Sequence, residues 1–456
     1  MFRNAFWDNS WKQARTICLN KVDNPAPSTN QLRPISLLPT FSEIYEKLFL
    51  LKFDKWIQLN SILPNQQSGS RPHLSTLTRV NHIMEQLTQS LNHNSFSVIV
   101  YVDFLQAFDM LWHQGFILKL YQLHCPYAYL FWMVNYFKDR TVTIDYQGHM
   151  SKQVAVLRGA PQGSCFGPKA YIVNHFNLPT IFDRPCEVHL YVDDLAILYS
   201  PSIYLKYSQQ VDEIQTRINN DLLKLATYAE SNHQPINNNK TEFVIYHKTV
   251  QIPKIQIFYQ GQSILRQNSF KYLGFHIDSK LSFNVMINAQ LVKLRKSYSI
   301  LKYIHRAFPT FFALKIKFFQ TYTWPHLYML ASIFCLFSIS NQNRINSFYR
   351  RCLRLIYCTY RVSSADLHQT LKLPTLKEKF QKCLLKRMKH IQLYEQDLLD
   401  CFISYKNIKN DVHQHYNDKP NIIGLPIGRP NKRIIFLAQI DSSTFFDKLC
   451  NFTWTN

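Results

Sequence analysis

The sequence predicts a mixed α/β core followed by a basic helical half, and three observations carry that expectation. Short β-branched and aromatic runs alternate with helical periodicities as far as about Asp278. Beyond that point the apolar spacing is helical. Charge divides along the same line: residues 280–456 hold 27 Lys and Arg against nine Asp and Glu, and residues 281–365 hold twelve cations and no acid.

The bulk composition fits a folded chain. Apolar residues make up 46% and charged residues 18% of 456, and at roughly 150 residues per domain the length suggests about three domains. A net charge of +23 calls for a polyanionic partner and argues against a small neutral molecule as the sole ligand. No two of the ten cysteines are spaced Cys-x-x-Cys, which gives no zinc pattern and leaves reduced, buried thiols as the expectation. Met1 is followed by no apolar stretch of signal-peptide length, so secretion is not expected. The run Leu327–Ile339 is too short to span a bilayer, reads as a buried helix, and leaves no membrane partner expected.

The elements follow in order. Pro25, Pro27 and Pro34 keep the opening segment a polar, extended loop up to Leu38. Phe41, Ile44, Tyr45, Leu48 and Leu51 then recur at helical spacing and predict a helix packed on a core. Residues 97–102 form a β-branched and aromatic run that ends on Asp103, the pattern of a strand buried on both faces. A second such run, 188–192, ends on Asp193-Asp194 and resumes as 195–199, which places two carboxylates at a tight turn. Val211, Ile214, Ile218, Leu222 and Leu225 mark an amphipathic helix, and residues 241–247 and 270–277 read as further strands.

Asp103, Asp193 and Asp194 each follow an apolar strand, and buried carboxylates need a compensating cation. Magnesium suits them, because it prefers carboxylate oxygens and shares its coordination with phosphates. Alone, Asp193-Asp194 reads better as a plain hairpin turn.

The surrounding motifs decide the reading. Tyr101-Val102-Asp103-Phe104-Leu105-Gln106-Ala107-Phe108-Asp109 lies upstream, and Arg158-Gly159-Ala160-Pro161-Gln162-Gly163-Ser164 lies between the two sets of acids. With Trp11–Ala14, Leu32–Pro39, Ser75-Thr76, Tyr136–Thr141, Lys240–Phe243, Tyr272-Leu273-Gly274, Leu367-His368 and Leu371–Pro374, they stand in one order along nearly the whole chain. The chain resembles the reverse transcriptases, RNA-directed DNA polymerases, of jockey-like non-LTR (LINE-type) retrotransposons.

That resemblance implies an α+β right-hand polymerase with fingers, a ferredoxin-like palm and a helical thumb. Its divisions would be 1–95 for the fingers, 96–278 for the palm, 279–390 for the thumb and 391–456 for a tail. It implies Asp103, Asp193 and Asp194 as catalytic acids that hold two Mg²⁺, or Mn²⁺ in their place, together with the Phe104 carbonyl. Lys240 would protonate the departing pyrophosphate. Arg71, Phe108 and Gln162 would bind the nucleotide, with Phe108 excluding a ribose 2′-hydroxyl, and Asp109 would be structural. Pro161 and Gly163 would support the templating base pair, and Tyr272, Leu273 and Gly274 would grip the primer.

Lys293, Arg295 and Lys296, interleaved with apolar Ile287, Leu291, Leu294 and Leu301, would hold the duplex by its phosphates. Arg350, Arg351, Arg354 and the basic residues between Lys377 and Lys389 would extend that surface. The implied partners are an RNA template, a DNA primer and deoxynucleotides, in a nuclear or ribonucleoprotein setting. A nicking endonuclease would come from a missing N-terminal domain or from another protein. Relatives read Gln-Phe-Gly-Phe-Arg where this chain has Gln67-Ser68-Gly69-Ser70-Arg71, a loss of packing that could loosen the fingers. Two alternatives remain open: an inactive nucleic-acid-binding remnant, and an RNA-templated RNA polymerase.

Overall fold

The structure, a computed structural model, describes residues 6–21, 27–92, 95–202, 204–248, 252–364 and 366–400, so most of the expected tail lies outside the described residues. It divides into two compact units. One comprises Met1–Arg79, Ile99–Phe243 and Pro253–Arg266, the other Val80–Val98, Val244–Ile252 and Gln267–Asn456.

The polar opening segment is not a loop. Gln13–Asn20 (β1) and Leu32–Leu37 (β2) pair antiparallel. Their inward positions include polar Thr16 and Ser36, whose hydroxyls lie 3.2 Å apart, so no apolar alternation announces the strands. Pro34 is tolerated because β2 is an edge strand.

Helix α1 (Thr40–Leu59) forms where expected but turns the other way. Tyr45, Phe49, Phe53 and Ile57, spaced by four, are buried, whereas Phe41 is 69% and Leu51 72% exposed. The reason is aromatic packing. The Phe49 ring stacks on Trp132 at 3.7 Å, and Tyr45 meets Trp7 edge-on at 4.9 Å.

After α2 (Thr76–Asn92), the strand β3 (Ser97–Val102) has all six side chains buried. Helices α3 (His113–Gln122) and α4 (Tyr127–Phe137) lead to β4 (Thr141–Tyr146), which pairs parallel with β1 and antiparallel with β5 (His149–Met150) and β6 (Val154–Ala155). Next come α5 (Gly167–Asn174), the β7–β8 hairpin (Glu187–Tyr191 and Asp194–Tyr199), α6 (Tyr207–Ser231) and β9 (Glu242–Tyr246). Ile214, Ile218, Leu222 and Leu225 are the buried stripe of α6, as their spacing predicts.

Short strands β10 (Phe258–Tyr259), β11 (Gln262–Ser263) and β12 (Leu265–Gln267) follow. The central sheet runs β12-β9-β3-β8-β7. Its chain order, β3, helices, β7, β8, α6, β9, is the β-α-β-β-α-β pattern of ferredoxin-like folds, so the expected α+β class holds.

In the second unit the strand expected over 270–277 is a hairpin of β13 (Ser269–Tyr272) and β14 (Phe275–Asp278). Leu273 and Gly274 both take positive φ, 47° and 87°, and this two-residue turn breaks the run. Helix α7 (Asn284–Ala307) buries Ile287, Leu291, Leu294 and Leu301 as expected. It packs with α8 (Phe312–Phe318), α9 (Trp324–Tyr328) and α10 (Ile339–Tyr357), and α11 (Leu367–Leu371) and α12 (Leu376–Tyr394) follow.

The Leu327–Ile339 run is largely buried, apart from Tyr328 and its last two residues, but it is not one helix. Turns and a short 3₁₀ segment, Phe334–Leu336, connect α9 to α10. Among the described residues no helix is long and apolar enough to cross a membrane.

Part of the expected basic surface is spent internally. Arg387 makes a bidentate bridge to Glu395, whose side chain is 1% exposed, and Arg354 donates to the Val362 carbonyl and Ser364 Oγ. Lys379 Nζ lies 4.8 Å from the Trp324 ring centroid, and burial lowers its pKa. Arg387→Ala leaves the buried Glu395 carboxylate with His390 as its remaining side-chain partner, 3.1 Å away, and is expected to cost about 3 kcal/mol of unfolding free energy, measured by urea denaturation.

Candidate active site

Asp103 follows β3, Asp193 lies in the two-residue turn between β7 and β8, and Asp194 is the first residue of β8 rather than a turn residue; β8 is the neighbour of β3 in the sheet. Strand order therefore unites acids that lie 90 positions apart in sequence. The backbone around Asp103 is pinned from the β9 side, where its N–H donates to Thr241 Oγ1 at 3.3 Å and its carbonyl accepts from Asn237 N–H at 2.8 Å. Lys240, at the same turn, places Nζ 3.9 Å from Asp103 Oδ2.

The electrostatics are those of acids crowded together. Desolvation raises the Asp103 carboxyl, and Lys240 partly offsets it. Asp193 is raised by burial first and by Asp103 as well. Asp194, the most open of the three by area, is pushed up to about 6, by desolvation and then by repulsion from Asp193 and Asp103. Hard carboxylate oxygens with repulsion that one lysine does not relieve fit a divalent cation such as magnesium. They do not form a finished cage, since among the described residues no three His, Cys, Asp or Glu side chains stand in metal-ligating arrangement.

Phe104 is buried, and the next residue ties back through Leu105 N–H to the Pro235 carbonyl at 2.8 Å. Phe108 is only half-buried, with its ring 5.3 Å from that of Tyr171, so it is not an ordinary core aromatic. Two further bonds zip its segment to the Pro-Gln-Gly loop: Ala160 N–H donates to the Phe108 carbonyl at 2.9 Å and Gly159 N–H to the Leu111 carbonyl at 2.9 Å.

Gln162 Nε2 donates to both Asp109 carboxylate oxygens, at 3.1 and 3.0 Å. Asp109 thus orients the Gln162 side chain. The Gln162 carbonyl accepts from Ser36 N–H at 2.7 Å, and Pro161 closes the turn by accepting from Ser164 N–H. Gly163 sits at φ 135°, where a Cβ would come 2.5 Å from the Ser36 carbonyl oxygen; this is why the loop needs glycine there.

Arg71 turns Nη1 onto the Pro64 and Gln67 carbonyls at 2.8 and 3.1 Å, so that nitrogen braces its own loop. The loop is held although both aromatics are replaced. Ser68 is 1% exposed with its N–H on the Leu190 carbonyl, and Lys169 Nζ donates to the Ser70 carbonyl at 2.6 Å.

In the other unit Tyr272 is buried in the β13–β14 hairpin with Leu273 and Gly274 at its tip, and Lys293, Arg295 and Lys296 are exposed on α7.

Residues 20–277, more than half the chain, match the family model described as reverse transcriptase (RNA-dependent DNA polymerase). The chain belongs to the reverse transcriptase family. This reverse transcriptase chain is 27% identical over 392 residues to a probable RNA-directed DNA polymerase from transposon BS of Drosophila melanogaster, covering 84% of itself and 42% of that protein. It is 25% identical over 403 residues to the RNA-directed DNA polymerase from mobile element jockey of the same organism, covering 86% of itself and 43% of that protein. It therefore spans less than half the length of these curated relatives. Among solved structures, it is similar at a TM-score of 0.44 and 12% identity to telomerase from Candida albicans in complex with a TWJ fragment of telomeric RNA, over 80% of this chain and 66% of that one.

Two supporting contacts escape a reading of the reverse transcriptase motifs alone. Glu46, on the buried face of α1, accepts from Ser164 Oγ at 2.8 Å and Phe166 N–H at 3.0 Å, and so supports the loop that carries Gln162. Gln67 meets the turn that bears Asp193. A polar residue inside an apolar helical stripe was the one available signal for Glu46; Gln67 stood in the Gln67–Arg71 element, but no local spacing there pointed to the Asp193 turn.

Proposed function

We propose that the chain is an RNA-directed DNA polymerase that adds deoxynucleotides to a primer 3′-hydroxyl on an RNA template. The observation that carries this reading is the meeting of Asp103 with Asp193 and Asp194 at adjacent strand ends beside Lys240. Residues 1–95 would serve as fingers, 96–278 as palm, 279–390 as thumb and 391–456 as tail. The setting would be a nuclear or ribonucleoprotein one, with nicking of the target supplied by an endonuclease segment or partner.

Asp103, Asp193 and Asp194, with the Phe104 carbonyl, would hold two Mg²⁺. Such ions, when bound, acidify an attacking hydroxyl and neutralise charge on the leaving pyrophosphate. The remaining roles belong to the chain itself. Lys240, 3.9 Å from Asp103, would give a proton to pyrophosphate as it departs. Phe108, supported by Tyr171, would lie under the incoming sugar and exclude a 2′-hydroxyl. Gln162, fixed by Asp109, would support the templating pair together with Pro161 and Gly163. Arg71 would reach the triphosphate, a task suited to a guanidinium. Tyr272, Leu273 and Gly274 would grip the primer end.

Lys293, Arg295 and Lys296 face solvent and would contact phosphates without reading sequence. Replacing all three by Ala is expected to weaken template–primer binding to a similar extent for every sequence. It should also reduce the slope of log K against log salt by about 2–3, measured by fluorescence anisotropy between low and physiological salt.

The test of the function is primer extension on an RNA template with deoxynucleotides and Mg²⁺. Extension supports the polymerase; duplex binding without extension identifies a silent remnant.

A further inference from the structure

The turn that carries Asp193 is strained. Val192, immediately before it, has φ 59°, a left-handed conformation that a β-branched residue rarely adopts. Something must hold it there. The side-chain amide of Gln67 reaches both polar backbone atoms of that residue: Val192 N–H donates to Gln67 Oε1 at 2.9 Å, and Gln67 Nε2 donates to the Val192 carbonyl at 3.2 Å.

Gln67 is itself fixed. It is 2% exposed, its Oε1 also accepts from Gly69 N–H at 2.8 Å, and its backbone bridges in parallel to Leu190 of β7. On either side of it, Ser68 N–H donates to the Leu190 carbonyl at 3.0 Å and Leu190 N–H to the Gln66 carbonyl at 2.9 Å. Gly69 completes the seat, because a Cβ there would come within 2.4 Å of Val192 N and Cγ2. Loop 66–69 is thus docked on the edge of β7 at the point where the backbone leaves the favoured region.

We propose that Gln67 is a positioning residue for polymerisation: its amide clamps Val192 in the left-handed conformation and thereby fixes the direction of the Asp193 carboxylate. It touches no reacting atom and acts through one peptide. This inference rests on the polymerase reading for its catalytic consequence, but not for the clamp itself.

Two measurements separate the parts. Gln67→Leu nearly keeps the volume and removes the two bonds to Val192 together with the one from Gly69 N–H. Hydrogen exchange at the Val192 amide should then quicken about fivefold or more, while amides within β8 keep their protection. In primer extension kcat should fall about 10- to 100-fold, as for an angstrom-scale misplacement, with KM for the deoxynucleotide within about twofold.

Glycine adopts positive φ without penalty, so in a Val192→Gly background the Gln67→Leu loss should shrink at least about threefold, a coupling that general loosening of the fingers would not produce. Unchanged Val192 exchange in Gln67→Leu overturns the clamp. Equal Gln67→Leu losses in both backgrounds, or a rise in KM that accounts for the loss, overturn the positioning role. If wild-type protein extends no primer, the polymerase reading falls, and Val192 exchange still decides the clamp.

Discussion

Asp193→Asn is expected to lower RNA-templated primer extension on the order of 10³-fold or more, while duplex binding stays within about twofold and the thermal midpoint does not fall. The last part distinguishes a site from a scaffold. Burial raises the carboxyls of Asp103, Asp193 and Asp194, repulsion from neighbouring acids adds to it for Asp193 and Asp194, and this upward shift is a penalty that the folded chain carries at neutral pH. An amide of nearly the same shape removes one of the charges. In metal-free buffer the variant should therefore melt at or above the wild-type temperature, and lost activity cannot then be assigned to misfolding. Asp103→Asn should behave alike, although Asp103 also loses its interaction with Lys240. A fall in melting temperature together with retained extension would mean that these carboxylates hold the fold instead.

Phe108→Ala is expected to admit ribonucleotides. The Phe108 ring is half-open and braced by Tyr171 at 5.3 Å, so truncation removes a wall without emptying the core. Discrimination between deoxy- and ribonucleotides, taken as the ratio of kcat/KM values, should fall about 10²-fold, chiefly through better use of ribonucleotides. Single-nucleotide incorporation on one template measures both. A wild-type protein that already prefers ribonucleotides would overturn this assignment and favour an RNA-templated RNA polymerase. An unchanged ratio in the variant would place the sugar elsewhere.

What the sequence made legible follows from how each element is buried. Strands β3, β8 and β9 lie inside a covered sheet, and β7 at its edge is buried over residues 188–190, so they read as apolar runs, and the acids at the ends of β3 and β7 could be named from the runs alone. Strands β1 and β2 could not be found this way, because their inward faces carry Thr16 and Ser36, which satisfy each other. Helix α1 has two apolar stripes, and periodicity cannot say which is covered; the ring of Trp132, far along the chain, makes the choice. The Leu327–Ile339 run was right in burial and wrong in form, since burial there comes from turns packed among helices.

At the site the same limit recurs. Motif order supplied Asp103, Asp193, Asp194, Lys240, Phe108 and Gln162. The bonds Gln162 to Asp109, Ser36 to Gln162 and Gln67 to Val192 join residues 53, 126 and 125 positions apart, and no local spacing encodes them. The basic half was legible as charge but not as surface, because Arg387 answers Glu395 inside the fold.

The central claim is that acids from two distant stretches serve one divalent-ion site, and Mn²⁺ binding followed by electron paramagnetic resonance tests it without relying on turnover. The titration should use the whole chain with an RNA template, a non-extendable primer and a deoxynucleotide. Wild-type protein should bind Mn²⁺, and Asp103→Asn and Asp193→Asn should each weaken that binding by about tenfold or more. Binding that is unchanged when Asp103 is replaced, while Asp193→Asn weakens it, would contradict a shared site.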